Sequence, residues 1–205
     1  MTMFLPSRMA SVATIVIALL LSGCSNSAED LRRPAAGSLQ PAAANTNRQL
    51  AYAMAHWNNY NTAVYGDLNP VGGDCANFVS QTLIARGWQM NSDWYNHDAA
   101  ADWSPAWGYV PAMDDYFREN AAKLGLTEYS FDQRDKIKVG DIVMFDWNNN
   151  NSLDHVQIVS GVKNVNGQIT IQMAGHNTDT DYRDLDHTIT VEHPGATGHF
   201  WSLSK

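Results

Sequence analysis

The chain has 205 residues, of which 44% are hydrophobic and 10% aromatic, enough to pack one domain around a core. Its formal net charge is −8 and its pI about 5.2, and no Lys/Arg cluster stands out, so the electrostatic footprint of a nucleic-acid-binding protein is absent. An acidic balance of this size serves solubility and suits cationic substrates better than anionic ones.

Taken in chain order, the first feature is an export signal. Arg8 precedes an apolar run at residues 12–23, VATIVIALLLSG, too short for a comfortable membrane span and suited to a signal-peptide core. The run ends in Leu21-Ser22-Gly23-Cys24, which resembles the bacterial lipoprotein box, whose cysteine is lipidated and becomes the mature N-terminus. Residues 1–23 are thus expected to be a lipoprotein signal peptide, the alternative being an ordinary secretory signal. Lipid on Cys24 would hold an exported protein on a membrane, facing the cell envelope or the exterior. Residues 24–47, rich in Ala, Pro, Ser and Asn, read as a flexible tether, and residues 48–205 as the folded domain.

Within the domain a helix is expected at 48–57, with Asn47 as its cap, and a second from Asp74, a good N-cap, to Arg86, stopped by Gly87. Cys75, Phe78, Val79 and Leu83 fall at helical spacing along the second. A loop region with Trp88, Trp94, Tyr95, Trp103, Trp107 and Tyr109 follows; most of these aromatics should pack the core and the rest line a groove. Residues 110–124 look helical again. Residues 141–147, 155–162, 168–175, 187–193 and 199–203 read as strands, with Asn166-Gly167 as a hairpin turn between the second and third. Helices first and an antiparallel sheet afterwards make an α+β domain.

The chain has two cysteines, so if Cys24 carries lipid then Cys75 has no partner within the chain. Cys75 sits in the first turn of its helix, where unsatisfied N–H groups and the helix dipole favour a thiolate and can hold an oxyanion, while Asp74 pulls the other way. A cysteine nucleophile needs a base. Of seven histidines, His155 stands out, because it opens a strong strand after the polar loop DWNNNNSLD. If Asn166-Gly167 is a two-residue turn, Gln157 faces His176 and Val156 faces Asn177. His155, Gln157 and His176 then share one face, and His176 is preferred to orient His155; a bulge, for instance at Gly175, would slip the pairing by one residue and favour Asn177 instead.

A helix-borne cysteine, a strand-opening histidine and a polar residue on the next strand follow the order of papain-like cysteine hydrolases. The segment DCANFVSQTL resembles the signature of the putative amidase domain family, related to the CHAP and NlpC-like cell-wall peptidases. AYAMAHWNNYN, LNP, WSPAWGYVPAMDDYF, VGDIVMFDW, LDHVQIV and GHNTD stand in the order expected of it, over about residues 50–182. The resemblance implies a papain-like fold with N-terminal helices packed on an antiparallel sheet, Cys75 as nucleophile, His155 as base and His176 as the third polar residue. The family usually has Gln-His or Gly-His-Thr at the third position. Here the chain reads Gly175-His176-Asn177-Thr178, which leaves His176 and Asn177 side by side. The Cys75 backbone would serve the oxyanion, with Asn69 either adding an amide there or simply turning the chain before Pro70.

The expected activity is hydrolysis of an amide bond through an acyl-enzyme, with peptidoglycan peptides as the leading substrate. The alternatives are a non-catalytic module that binds wall or a partner on the same fold, and a transpeptidase-like acyl transfer. No cofactor is required by this chemistry. Asp146, Asn148, Asn150 and Asp154 have the alternate oxygen spacing of a calcium loop without its glycine or its closing acid, and a polar hairpin loop is the simpler expectation.

Overall fold

The computed structural model describes residues 42–204. The signal peptide, Cys24 and most of the tether lie outside the described residues. Helix α1 (Ala42–His56) contains no Gly or Pro and begins inside the stretch expected to be tether. It is followed by α2 (Thr62–Tyr65), a 3-10 turn at Asn69–Val71, α3 (Cys75–Arg86), the short paired strands β1 (Asn96–Asp98) and β2 (Asp102–Trp103), α4 (Pro105–Gly108) and α5 (Val110–Leu124). Then come β3 (Leu126–Ser130), β4 (Ile142–Asp146), β5 (His155–Val165), β6 (Gln168–Gly175), β7 (Thr180–Asp184), α6 (Leu185–His187) running into a π-type turn at Thr188–Glu192, and β8 (Thr197–Leu203). The domain is α+β, as expected.

Helix α3 is the centre of the helical layer. All its residues from Cys75 to Leu83 are buried, polar ones included, so each polar side chain needs a partner. Asn77 Oδ1 accepts from Trp107 Nε1 at 2.7 Å, and Ser80 Oγ accepts from Trp94 Nε1 at 3.1 Å while donating to the Trp107 carbonyl. The buried Arg86 guanidinium reaches Gln49 Oε1 at 2.7 Å on α1. The helix stops at Gly87, whose φ of 116° lets its N–H turn back to the Leu83 and Ile84 carbonyls.

The six-stranded sheet has the order β3-β8-β4-β5-β6-β7, with every neighbouring pair antiparallel. Side chains alternate across it. Ile142, Met144, Val156, Ile158 and Ala174 face α3 and the main core with Cys75. Val143, Phe145, Val159, Ile171, Met173 and Phe200 face a second core, closed by Leu185 and Ile137. The two sheet edges, β3 and β7, were not foreseen. Residues 187–193, expected as a strand, form helical turns instead. Asp184 Oδ1 caps the His187 N–H at 2.8 Å, and the Thr188 and Thr190 hydroxyls donate to the carbonyls of Asp184 and Asp186.

The approach of β8 to β4 requires glycine at 198. A Cβ there would lie 2.0 Å from the Met144 carbonyl oxygen. Gly198→Ala should therefore lower unfolding stability by about 2 kcal/mol or more, measured as a fall in urea midpoint.

Candidate active site

Cys75 heads α3 and is 6% exposed. It lines a cleft of about 420 Å³ together with Gly72, Gly73, Trp103, Tyr109 and Asp154, among others. The nearby backbone N–H groups of Val156 and Ala76 favour the thiolate. Burial outweighs them and, with help from Asp74, pushes the thiol up to about 11. At neutral pH the resting group is a thiol.

The helix start is built differently from the expectation. Asp74 makes no side-chain bond to the first turn of its own helix backbone. Its carboxylate, fully buried, accepts from Leu68 N–H (2.8 Å) and Asn77 Nδ2 (2.8 Å), and bonds His176 Nδ1 (2.5 Å). The cap comes from across the domain. Asn177 Oδ1 accepts from the N–H of Asp74 (2.6 Å) and of Cys75 (2.7 Å), and Asn177 Nδ2 donates to Asn69 Oδ1 (2.5 Å). Gly73 makes room for this amide, since a Cβ there would meet Asn177 Oδ1 at 3.1 Å. The Cys75 N–H expected to hold an oxyanion is thus occupied by an amide oxygen of the chain itself, and Asn69 supports that occupant.

The expected Cys75–His155 contact is not formed. His155 lies directly opposite Phe145 on β4 and stacks on Trp147, 5.4 Å between ring centroids, which sets its ring on the second-core face of the sheet. Cys75 is on the other face, beside Val156. Burial pushes the His155 imidazole down to about 3, with Arg183 and His193 adding to the shift, and among the described residues its Nε2 has no hydrogen-bond partner.

Nor does His176 orient His155. The hairpin pairs as expected from Val165↔Gln168 to Gly161↔Gln172, but the register then shifts, so that Val159 faces Met173 and Ile158 faces Ala174. Ser160 is the extra residue of a bulge, placed on β5 rather than at Gly175. The slip moves His176 to the α3 face, where it is fully buried, stacked on Tyr60 at 3.6 Å, and held at both ring nitrogens. Nδ1 bonds Asp74 and Nε2 donates to the His56 carbonyl at 2.8 Å. Asn177, the alternative, is the α3 cap.

The loop expected as a calcium candidate uses its oxygens on its own backbone. Asp146 accepts from the N–H of Asn150 and Asn151, Asn150 Oδ1 from Ser152 N–H, and Asp154 Oδ2 from Trp147 N–H. Among the described residues no group of three His, Cys, Asp or Glu is placed to hold a metal ion. Of the aromatics, Trp94 and Trp107 are core, whereas Trp103 and Tyr109 line the cleft.

The sequence profile of the family described as Putative amidase domain matches residues 43–201. The chain belongs to this family. A Bacillus subtilis (strain 168) protein named "Uncharacterized protein YhbB" is 28% identical over 116 residues, 54% of this chain and 35% of that one. The chain therefore spans about a third of that relative's length. No solved structure matches the chain.

His155 yields a pH prediction. Its folded pKa lies below the 6.5 of the free side chain, so the unfolded chain binds the extra proton between those values and stability falls as pH drops from about 6.5 towards 3. His155→Phe removes both this linkage and the unpartnered nitrogen. The variant should be more stable than wild type at pH 7, and its advantage should grow by about 2 kcal/mol at pH 5, read from urea midpoints at the two pH values.

Proposed function

We propose that the protein is a cysteine amide hydrolase of papain-like architecture, exported and held on a membrane through Cys24, with peptidoglycan peptides as its substrate. The observation that carries the reading is the position of Cys75, at the first turn of a buried helix and on the wall of the cleft. In this reading Cys75 Sγ attacks the scissile carbonyl carbon, and the carbonyl oxygen takes the place of Asn177 Oδ1 at the Cys75 N–H. The thiol proton passes to the base and on to the leaving amine, and water then attacks the thioester and frees the acid and the thiol.

A thiol with a pKa of about 11 must give up its proton as it attacks. His155 is the base of this reading, and it acts after the first residues of β5, 155–156, turn over while Asp154 keeps its bonds to Phe145 and Trp147. Two features support that movement. His155 pairs with Phe145 of β4, but β6 pairs with β5 only from Ile158 onward, so the strand is paired on one side alone at His155, and among the described residues its Nε2 has no bond to lose. The lipid anchor and the wall substrate are supported by the Leu21-Ser22-Gly23-Cys24 box and by the resemblance to wall peptidases.

A second reading, a module that binds wall without turnover, is favoured by the raised thiol and by the absence of any histidine bonded to it among the described residues. Activity separates the two. Cys75→Ala should abolish release of amine groups from purified wall while near-ultraviolet circular dichroism is unchanged. His155→Ala should lose about 10²–10⁴-fold in kcat, although His155 does not touch the thiol at rest. A fully active Cys75→Ala would rule out the nucleophile, and a fully active His155→Ala would remove the base. Retained wall binding with a Cys75 inert to iodoacetamide and no turnover would establish the binding module.

A further inference from the structure

The cleft beside Cys75 has a chemical bias that the hydrolase reading does not use. Its lips are apolar: Val71 and Tyr109, 66% and 57% exposed, are two of the six large hydrophobic side chains left open to solvent among the described residues. Trp103, Pro105, Val110, Pro111 and Leu153 continue the apolar wall. Among the lining residues, Asp154 is the only Asp, Glu, Lys or Arg.

Asp154 is held in place. Its N–H donates to the Phe145 carbonyl at 2.7 Å, and its Oδ2 accepts from Trp147 N–H at 2.8 Å. Among the described residues it forms no ion pair, whereas Arg118 and Arg134 are both matched to carboxylates. Leu153 also lines the adjoining depression, where Asp114, Glu128 and Asp146 stand against Arg118 and His199. The carboxylates of that depression are matched by Arg118 and His199 or by backbone N–H groups, so Asp154 is the carboxylate left open towards the cleft. An anionic group entering the cleft meets an unmatched carboxylate, and a cationic one gains a fixed partner.

We propose that Asp154 is a specificity-determining residue that binds a protonated amine of the substrate, so that this enzyme acts on amides carrying an ammonium group next to an apolar or aromatic flank. The proposal rests on Cys75 as the nucleophile of the cleft. Asp154→Asn keeps an oxygen for Trp147 N–H and removes only the charge, and Asp154→Glu keeps the charge.

The test compares two methanethiosulfonate reagents of similar size on the full chain, one ending in trimethylammonium and the other in sulfonate. Modification of the Cys75 peptide is followed by mass spectrometry, with each rate divided by that for glutathione. Wild type should favour the cationic reagent by about fivefold or more. Asp154→Asn should bring the ratio near one, and Asp154→Glu should restore it. Equal corrected rates in wild type, a ratio unchanged in Asp154→Asn, or no labelling by either reagent would overturn the proposal.

Hydrolysis provides the second arm, comparing dipeptide amides with a free or an acetylated amine. The free amine should have the higher kcat/KM, and Asp154→Asn should erase the difference through KM. Charge-selective labelling with no hydrolysis of any amide would leave the Asp154 site standing and remove the hydrolase reading. Hydrolysis indifferent to the amine, and unchanged in Asp154→Asn, would remove the Asp154 site alone.

Discussion

Everything around the cleft depends on one buried carboxylate. Asp74 has no solvent exposure, and an acid in that position persists only if its oxygens are fully bonded. Its three partners come from three parts of the chain: Leu68 from the turn before the helix, Asn77 from α3 itself, and His176 from the end of β6. Satisfying Asp74 therefore fixes how the start of α3 meets the sheet. It also delivers Asn177, the residue after His176, to the N–H groups of Asp74 and Cys75. The position of the Cys75 thiol follows from this knot more than from the apolar core beneath it.

The same arrangement leaves an imbalance on the neighbouring strand. Among the described residues, five buried side-chain polar atoms lack a partner, and four of them belong to His155, Gln157 and Ser160. Each such atom costs about 1–3 kcal/mol. Those four are confined to the half of β5 between its first residue and its bulge, which is the part that runs beside Cys75. The α3 side of the site is hydrogen-bonded, while the β5 side is held by packing against its own polar preferences.

Much of this was legible in the sequence. Helix α3 could be read from Asp74, the apolar spacing and Gly87, because cap and stop chemistry is local. The turn at Asn166-Gly167 was legible for the same reason, and so was the pairing of its flanking residues as far as Gly161. What failed was register beyond that point. A single extra residue, Ser160, reverses which face each later side chain takes, and β5 is buried on both faces, so no apolar alternation marks the slip. Asp74 was read as a helix cap because Asp in that place usually is one, and nothing local shows that Asn177, 103 residues away from it, has taken the role. Strands β3 and β7 were missed because edge strands are short and polar, and LTEYS and TDYRD carry little apolar signal. The alternating run at 187–193 misled for the opposite reason, since its threonine hydroxyls bond back to carbonyls and stabilise turns.

In the proposed reaction Cys75 carries the acyl group of an amide substrate. The most direct measurement is intact and peptide-level mass spectrometry of the full chain, quenched in acid during turnover of an amide or activated ester substrate. An added acyl mass should be found on the peptide containing Cys75, lost on longer incubation and never seen in Cys75→Ala. Turnover with no adduct on that peptide, and undiminished in Cys75→Ala, would contradict it.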